Sequence, residues 1–481
     1  MPNLEGISGA SSTSHFATTA FPSYSFANSS IIGAICWQGP HQVAPQSKTT
    51  NLLSFTTNSS KLESLISNAI IVLYLMLIIN LIACKDIKKM NITSKNSLLL
   101  KKYSYLCNLL KSAYKRKRNM YNQLILAINP GSTSTKIAVF DGENKLFDKN
   151  IKHPAEDLKV FEHIADQYAF RKELCLKEVA QAGFNIKDFK IIIGRGGLTK
   201  STEGGIWEVT PEMIHDLQIG YAGQHACNLG GLIANEIAKE IGVKAVIADA
   251  GVTDEREEIA KLSGHPLMPR NSIFHCLNQK AIARRYAREH GEGKKYEDLN
   301  LIVVHLGGGI SVGAHHLGKV IDANQALDGD GPFSPERSGS VPMTKLISLC
   351  FSGKYTEAQI RKMIVGEGGF VAYLGTNDAL TVEIKAKEGD EKYAFIQSAM
   401  AYQVAKEVGA QAAVLHGKVK KIDAILITGG IAYGKPFVKE LSDRIDWIAP
   451  IYVYPGEDEM GALAMNASMY LNGELQLQQY K

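Results

Sequence analysis

The order of apolar and polar residues predicts two similar three-stranded meanders. From 124 to 140 an apolar run, LILAI, is followed by a polar turn, NPGSTST, and a second apolar run, KIAVF, before the turn at Asp141–Gly142 and a further extended stretch. This pattern predicts strand, turn, strand, turn and strand. It recurs over 301–321, as LIVVHL, GGG, ISVGAHH, LGK and VIDA. Two such meanders, opening two halves of the chain, predict a duplicated two-lobed architecture.

The intervals between the meanders carry apolar residues at helical spacing. Helices are predicted over 222–241, 277–290 and 393–416, and further strands over 245–249 and 424–428. Helices that alternate with strands indicate that each half is α/β.

The first 119 residues differ from the rest. Residues 1–62 are rich in Ser, Thr and Asn, and we expect them to be disordered. Residues 64–84 are 21 consecutive uncharged residues, the length of a transmembrane helix. Residues 85–119 carry eleven Lys and Arg against Asp86, which would keep the following part in the cytosol. Two alternatives remain: a genuine membrane anchor, or upstream sequence preceding a natural start at Met120.

Charge and cysteine content narrow the function classes. The chain has 481 residues and a net charge of +5, but residues 120–481 alone carry −5, so nucleic acid is not an expected partner. The seven cysteines are scattered, without CxxC pairs or Cys/His clusters at metal spacing. This usage is typical of reduced thiols in a cytosolic protein. We therefore expect neither a disulfide framework nor a zinc site.

Three glycine-rich turns each follow an apolar strand: NPGSTSTK at 129–136, HLGGGIS at 305–311 and ITGGIA at 427–432. Backbone N–H groups, hydroxyls and a Lys in such turns can bind phosphate oxygens, and the third turn is predicted to open a helix. The first turn lacks the GK[ST] ending of a P-loop. Each turn alone could be an ordinary tight turn. Together they predict a nucleotide in the cleft between the lobes.

These three motifs, with GRGG at 194–197, QHACNLGGLIA at 224–234 and DGDGPFSPERSGSVP at 328–342, resemble the acetokinase family, and within it the butyrate kinases. The resemblance runs from about residue 120 to the end. It implies the ribonuclease-H-like fold of the actin-like ATPase and sugar kinase superfamily. One lobe would comprise residues 120–250 and a C-terminal helix near 460–481, and the other, nucleotide-binding lobe residues 251–459, with the active site between them.

The resemblance also implies a function. The enzyme would transfer phosphate reversibly between ATP and butyrate, giving ADP and butyryl phosphate, with Mg²⁺, and would yield ATP during fermentation in the cytoplasm. A kinase of isobutyrate, propionate or acetate is an alternative, because one methylene changes binding by only about 1–3 kcal/mol. A non-catalytic nucleotide-binding protein tethered to the membrane is another. We also expect a homo-oligomer.

The family's functional residues correspond to positions of this sequence. The resemblance assigns catalysis to Arg337, His225, His275 and Arg195; phosphate binding to Asn129, Ser132, Ser134, Lys136, Gly307, Gly308, Gly309, Gly429 and Gly430; and the metal to Asp249, Glu457 and Glu459. Either of the two glutamates could be the late metal-side residue. This sequence departs from acetate kinases in having Gly308 in place of an Asn, and in a shortened segment around Arg195.

Elementary chemistry agrees with these roles. A carboxylic acid with a pKa of about 4 to 5 is already ionised at neutral pH, so the attacking oxygen needs no general base. The difficulty is charge, because an anion must approach a polyanionic phosphate. The planar guanidinium of Arg337 suits an equatorial phosphoryl oxygen. Closure of the lobes would exclude water.

Overall fold

The computed structural model describes residues 121–327 and 329–481, and these fold around two β-sheets. The predictions made for residues 1–119 lie outside the described residues. No helix within the described residues has both the length and the apolar character needed to cross a bilayer.

The first sheet has seven strands in the order β12-β5-β6-β4-β1-β2-β3. Its strands are β1 (Leu124–Pro130), β2 (Ser134–Asp141), β3 (Asn144–Lys152), β4 (Ile191–Arg195), β5 (Ile206–Glu208), β6 (Lys244–Ala248) and β12 (Leu477–Gln479). The predicted meander forms β1 to β3, and β4 pairs with β1 in parallel. Every residue of β1 is buried, as expected for a central strand covered on both faces.

The second sheet has five strands in the order β11-β10-β7-β8-β9. They are β7 (Asn300–Leu306), β8 (Ile310–His316), β9 (Lys319–Ala323), β10 (Ala424–Gly429) and β11 (Ile451–Pro455). An antiparallel meander again leads the sheet, and β10 pairs with its first strand in parallel. The prediction of two α/β halves that share one strand pattern is therefore confirmed.

Twelve α-helices occur in the described residues. They are α1 (Ala155–Leu158), α2 (Tyr168–Gln181), α3 (Pro211–Ile219), α4 (Asn228–Ile241), α5 (Cys276–His290), α6 (Met343–Cys350), α7 (Glu357–Ile364), α8 (Gly369–Leu374), α9 (Ala379–Lys387), α10 (Glu391–His416), α11 (Lys435–Ile445) and α12 (Glu459–Leu471).

Two predicted helices differ from the observed ones. The helix predicted from 222 begins only at Asn228, because the preceding Gly223 has a φ of 130° and the Asn228 side chain binds the Gly223 carbonyl and the Leu198 N–H. The C-terminal helix stops at Leu471, and Gly473 has a φ of 78°. The chain then returns to the first sheet as β12, beside β5.

Helix α5 connects the two sheets. Leu277 and Ala281 pack into the apolar cluster of the first sheet, and Ala283 and Tyr286 pack against the second. The two halves therefore share one buried helix, which begins directly after His275.

The buried histidine after β3 gives the fold a dependence on pH. His153 is only 3% exposed, and burial, together with the charge of Arg171, lowers its pKa to about 4 from 6.5. Between these values the unfolded chain binds a proton that the folded chain does not, so stability is full above pH 6.5 and falls toward pH 4. We expect His153→Gln to reduce this loss of stability, measured as the free energy of unfolding in urea across the same pH interval. Exposed His163→Gln is the control, and equal slopes in the two variants would contradict the prediction.

Candidate active site

The carboxyl ends of strands from both sheets border one cleft, and the segment between β11 and α12 joins them. Asn129, at the end of β1, donates from Nδ2 to Glu459 Oε2 at 2.5 Å. Arg195, at the end of β4, pairs through Nη1 with Glu459 Oε1 at 2.5 Å. On the other side, Glu457 Oε2 lies 3.5 Å from His305 Nε2 in β7. The two glutamates, left as alternatives by the sequence, thus face different sheets.

Two adjoining depressions share these glutamates. One, of about 350 Å³, is lined by Arg195, Phe274 and His275. The other, of about 600 Å³, is lined by Lys136 and Lys145 from the β2–β3 hairpin. Arg195, Lys136 and both carboxylates are therefore brought together although they are scattered along the sequence.

His275 and His305 stack with ring centroids 3.8 Å apart and planes 10° from parallel. Burial and the charges of Arg195 and Arg337 lower the pKa of His305 to about 3. Burial, then the neighbouring His305 and the same two arginines, puts the pKa of His275 well below its usual range. Both rings are therefore neutral at physiological pH, and they can act as hydrogen-bond donors without adding charge.

The sequence analysis missed His305 as a site residue. Its Nδ1 lies 2.9 Å from Asn278 Oδ1 in α5. The sequence could have indicated His305, because this residue lies at the end of an apolar strand immediately before the GGG turn.

His225 lies just before α4, outside the helix in which it was predicted. Its Nδ1 accepts the backbone N–H of Cys227 at 3.2 Å, so the hydrogen of the neutral ring is on Nε2. Partial burial and the charges of Arg195 and Arg337 lower the pKa of His225. It too is a neutral donor near these arginines.

Arg337 lies against the second glycine turn. Its Nη1 donates to the Ala326 carbonyl, and Ser334 Oγ donates to the Gly308 carbonyl at 2.5 Å. A Cβ added at Gly309 would overlap the Arg337 guanidinium. The glycine at this position therefore makes room for the arginine.

The second and third glycine turns touch each other. Gly429 has a φ of 94°, and a Cβ there would overlap the Leu306 carbonyl. Its N–H donates to the Gly456 carbonyl at 3.0 Å. A short 3₁₀ turn, Gly430–Tyr433, follows before α11 begins at Lys435, so the predicted helix start is displaced. Glycine is required here for two backbones to approach closely.

The first glycine turn is organised by a residue that the sequence analysis did not select. Arg171 in α2 is 1% exposed and donates to the carbonyls of Gly131, Ser132 and Ser134, which lie 2.7, 3.1 and 3.1 Å from its guanidinium nitrogens. Because these three carbonyls accept hydrogen bonds from one buried guanidinium, the turn has a fixed conformation. Lys136, two residues into β2, is exposed.

Asp249 directly follows β6, as predicted, but its carboxylate is occupied by protein donors. Oδ1 accepts the Gly205 N–H at 2.8 Å, and Oδ2 pairs with Arg284 Nη1 at 3.1 Å. Its side chain is 0% exposed. Burial would raise the pKa of Asp249, but the charges of Arg284 and Lys280 and the Gly205 hydrogen bond outweigh it and lower the pKa. These contacts favour a structural ion pair over metal binding.

Comparison with known proteins identifies relatives of this chain. The model of the acetokinase family matches residues 267–445. Butyrate kinase 2 of Clostridium acetobutylicum is 53% identical over 357 residues, which cover 74% of this chain and 99% of that protein. A probable butyrate kinase of Clostridium botulinum is 52% identical over 350 residues, covering 73% and 97%. The crystal structure of Porphyromonas gingivalis acetate kinase matches at 18% identity, with a TM-score of 0.60, covering 73% of this chain and 100% of that one.

The two sheets, their shared strand pattern and this structural match define the fold of the actin-like ATPases, as the sequence resemblance implied. The chain belongs to the acetokinase family. It is an enzyme, a carboxylate phosphotransferase.

Proposed function

We propose that this chain transfers the γ-phosphate of ATP to the carboxylate of butyrate, reversibly and with Mg²⁺. The observation that carries the proposal is the cleft shared by Arg195, His275 and the two glutamates of 456–459. Asn129 of the first glycine turn and His305 of the second lie against these glutamates. The identity to butyrate kinases over almost their whole length supports butyrate as the acid.

Arg195 is the group proposed to receive the acid. Its side chain is 39% exposed at the edge of the smaller depression, which Phe274 and Ala250 also line. A guanidinium can bind a carboxylate through two parallel hydrogen bonds, and apolar neighbours suit a short acyl chain. The ion pair with Glu459 keeps the guanidinium beside the segment that links the two sheets.

The phosphoryl group is proposed to lie between Arg337 and the neutral histidines. Negative charge spreads over its equatorial oxygens during transfer, and donors already in place stabilise that charge without reorganising. Arg337 supplies a fixed positive charge, and His225 and His275 supply N–H groups. An ionised acid requires no base, so the low pKa values of these histidines do not impede the reaction.

The glycine turns are proposed to bind the nucleotide. Gly307, Gly308 and Gly309 follow β7, and Gly429 and Gly430 lie at the carboxyl end of the parallel neighbouring strand β10. Open α/β sheets bind ligands at this edge. Asn129, Ser132, Ser134 and Lys136 would contribute from the opposite side, from the turn that Arg171 fixes.

The carboxylates present fit a magnesium ion held partly by water and phosphate. Burial, and then the charge of Glu459, raise the pKa of Glu457, and a cation bound between the two carboxylates would favour its ionised form. Among the described residues no group of three or more His, Cys, Asp or Glu could hold a metal by itself. Mg²⁺ commonly uses only one or two carboxylates. Glu457 and Glu459 would hold it, and when bound it would neutralise phosphate charge.

A series of acids tests the proposal. The full chain, with ATP, Mg²⁺ and each of the straight acids from C2 to C6 and isobutyrate, is expected to form the acyl hydroxamate in the presence of hydroxylamine, with the highest kcat/KM for butyrate. A higher value for another acid would move the substrate assignment to that acid. No hydroxamate from any acid, at a protein concentration that binds ATP, would defeat the kinase proposal and favour a nucleotide-binding protein.

A further inference from the structure

A continuous line of buried hydrogen bonds leads from His275 into the second sheet. His275 Nδ1 lies 2.9 Å from Ser311 Oγ in β8. Gln279, one turn along α5, joins Ser311 to His315, whose other ring nitrogen meets the Tyr296 hydroxyl at 2.8 Å. Ser311, Gln279 and His315 are 0% exposed, and Tyr296 is 2% exposed.

We propose that Ser311 and Gln279 are positioning residues that hold His275 in the tautomer with its hydrogen on Nε2. The tautomer follows from the hydrogen bonds alone. Its effect on catalysis rests on the proposed function, in which His275 donates to the phosphoryl group.

The orientation of the Gln279 amide is fixed by a group that can only accept. Its Nε2 lies 3.2 Å from the Ser311 carbonyl oxygen and 2.8 Å from Ser311 Oγ. Because a carbonyl cannot donate, the amide nitrogen must face Ser311, and it donates to both oxygens. Gln279 Oε1 therefore faces His315 Nε2, at 2.9 Å, and accepts its hydrogen.

The hydrogen bonds of His315 agree with this orientation of the Gln279 amide. Burial and the charges of Lys280 and Arg284 lower the pKa of His315 to about 3, so its ring is neutral. With its hydrogen on Nε2, Nδ1 accepts the Tyr296 hydroxyl. Gly313 leaves the space that the Gln279 amide fills, since a Cβ there would overlap Oε1.

The Ser311 hydroxyl determines which form of the His275 ring is favoured. Its oxygen already accepts from Gln279, so its own hydrogen is available for His275 Nδ1. If Nδ1 carried the hydrogen instead, the buried hydroxyl would lose its acceptor, and an unsatisfied donor is costly inside a protein. Nδ1 is therefore the acceptor, and Nε2 carries the hydrogen of the neutral ring.

The tautomer decides what the ring offers to an anion. A phosphoryl oxygen can only accept, so the Nε2–H form donates to it, whereas the other form would present a lone pair. Ser311 and Gln279 thus prepare His275 for the proposed reaction without touching the substrate.

The tautomer can be measured directly on the ligand-free full chain. Nitrogen-15 spectra of protein labelled at histidine, with the His275 signals identified by their loss in His275→Gln, are expected to show an unprotonated Nδ1 and a protonated Nε2. A protonated Nδ1 in the wild-type protein would overturn the inference.

Two variants test the positioning role. Ser311→Ala and the nearly isosteric Gln279→Leu are expected to give a mixture of tautomers and to lower kcat in proportion to the remaining Nε2–H fraction, about twofold for an equal mixture, with both KM values within about threefold. Ser272→Ala is the matched control, because it removes a buried hydroxyl that donates to the Thr253 carbonyl at 2.6 Å. It should change neither the tautomer nor kcat.

The outcomes separate the two proposals. An unchanged tautomer in both variants would overturn the positioning role, whatever their activity. The expected tautomers in a wild-type protein that phosphorylates no acid would support the inference on His275 and defeat the proposed function. Thermal unfolding of each variant shows that it is folded when compared.

Discussion

Replacing Arg337 by alanine is expected to lower kcat at least about a hundredfold, because a single arginine at the transferred phosphoryl group contributes roughly 10³–10⁵ in related chemistry. The affinity for ATP should change little, since the proposed contact strengthens only in the transition state. Initial rates with butyrate and equilibrium ATP binding measure the two quantities. Turnover near that of the wild type would show that Arg337 does not act on the transferred phosphoryl group.

Gly309→Ala provides a second test that keeps the arginine. The added Cβ would displace the Arg337 guanidinium from its position beside the Ala326 carbonyl. Because that guanidinium is the flexible end of a side chain, it can move at little cost in stability. A kcat loss approaching that of Arg337→Ala, with a nearly unchanged unfolding midpoint, is expected. Full activity in this variant would show that the position of Arg337 is unimportant.

Asp249→Asn is expected to destabilise the protein by about 3–5 kcal/mol, because it removes the charge that balances a buried arginine. Arg284 is 7% exposed and also donates to Asn466 Oδ1 at 3.2 Å. Asp249 has a φ of 42°, a conformation that asparagine accepts as readily, so the substitution changes charge and not backbone strain. The free energy of unfolding in urea measures the effect.

An exposed ion pair serves as the control for Asp249. Glu208 lies 2.6 Å from Lys244, and the two side chains are 25% and 48% exposed. Glu208→Gln should therefore cost about 1 kcal/mol or less. The prediction would be contradicted if Asp249→Asn unfolded like the wild type while its activity no longer depended on Mg²⁺. The carboxylate would then be assigned to metal binding and not to the ion pair with Arg284.

Local pattern was sufficient for most of the secondary structure. The meanders at 124–140 and 301–321 and the helix predicted over 393–416 correspond to observed elements, because period and turn chemistry are properties of neighbouring residues. The same reasoning failed for 222–227 and for the last residues of the chain. There, the Asn228 side chain and the pairing of β12 with β5 decide the conformation.

The sequence pattern could not predict contacts between residues that are far apart in the chain. Asn129 and Glu459 share a hydrogen bond although 330 residues separate them. Arg171 and His305 were not selected, because their importance comes from the backbone turn or ring that they contact after folding. The sequence predicts Asp249 at the metal, and only the folded structure shows that its carboxylate is buried against Arg284.

The sequence by itself determined the two α/β halves, the three glycine turns and the family, since these depend on residue type, order and spacing. The tertiary structure alone decided which glutamate faces which sheet, which carboxylate is buried with a cation, and which nitrogen of His275 carries its hydrogen. Each of these depends on contacts between residues distant in the chain, where burial makes an unpaired charge or an unsatisfied hydrogen bond costly.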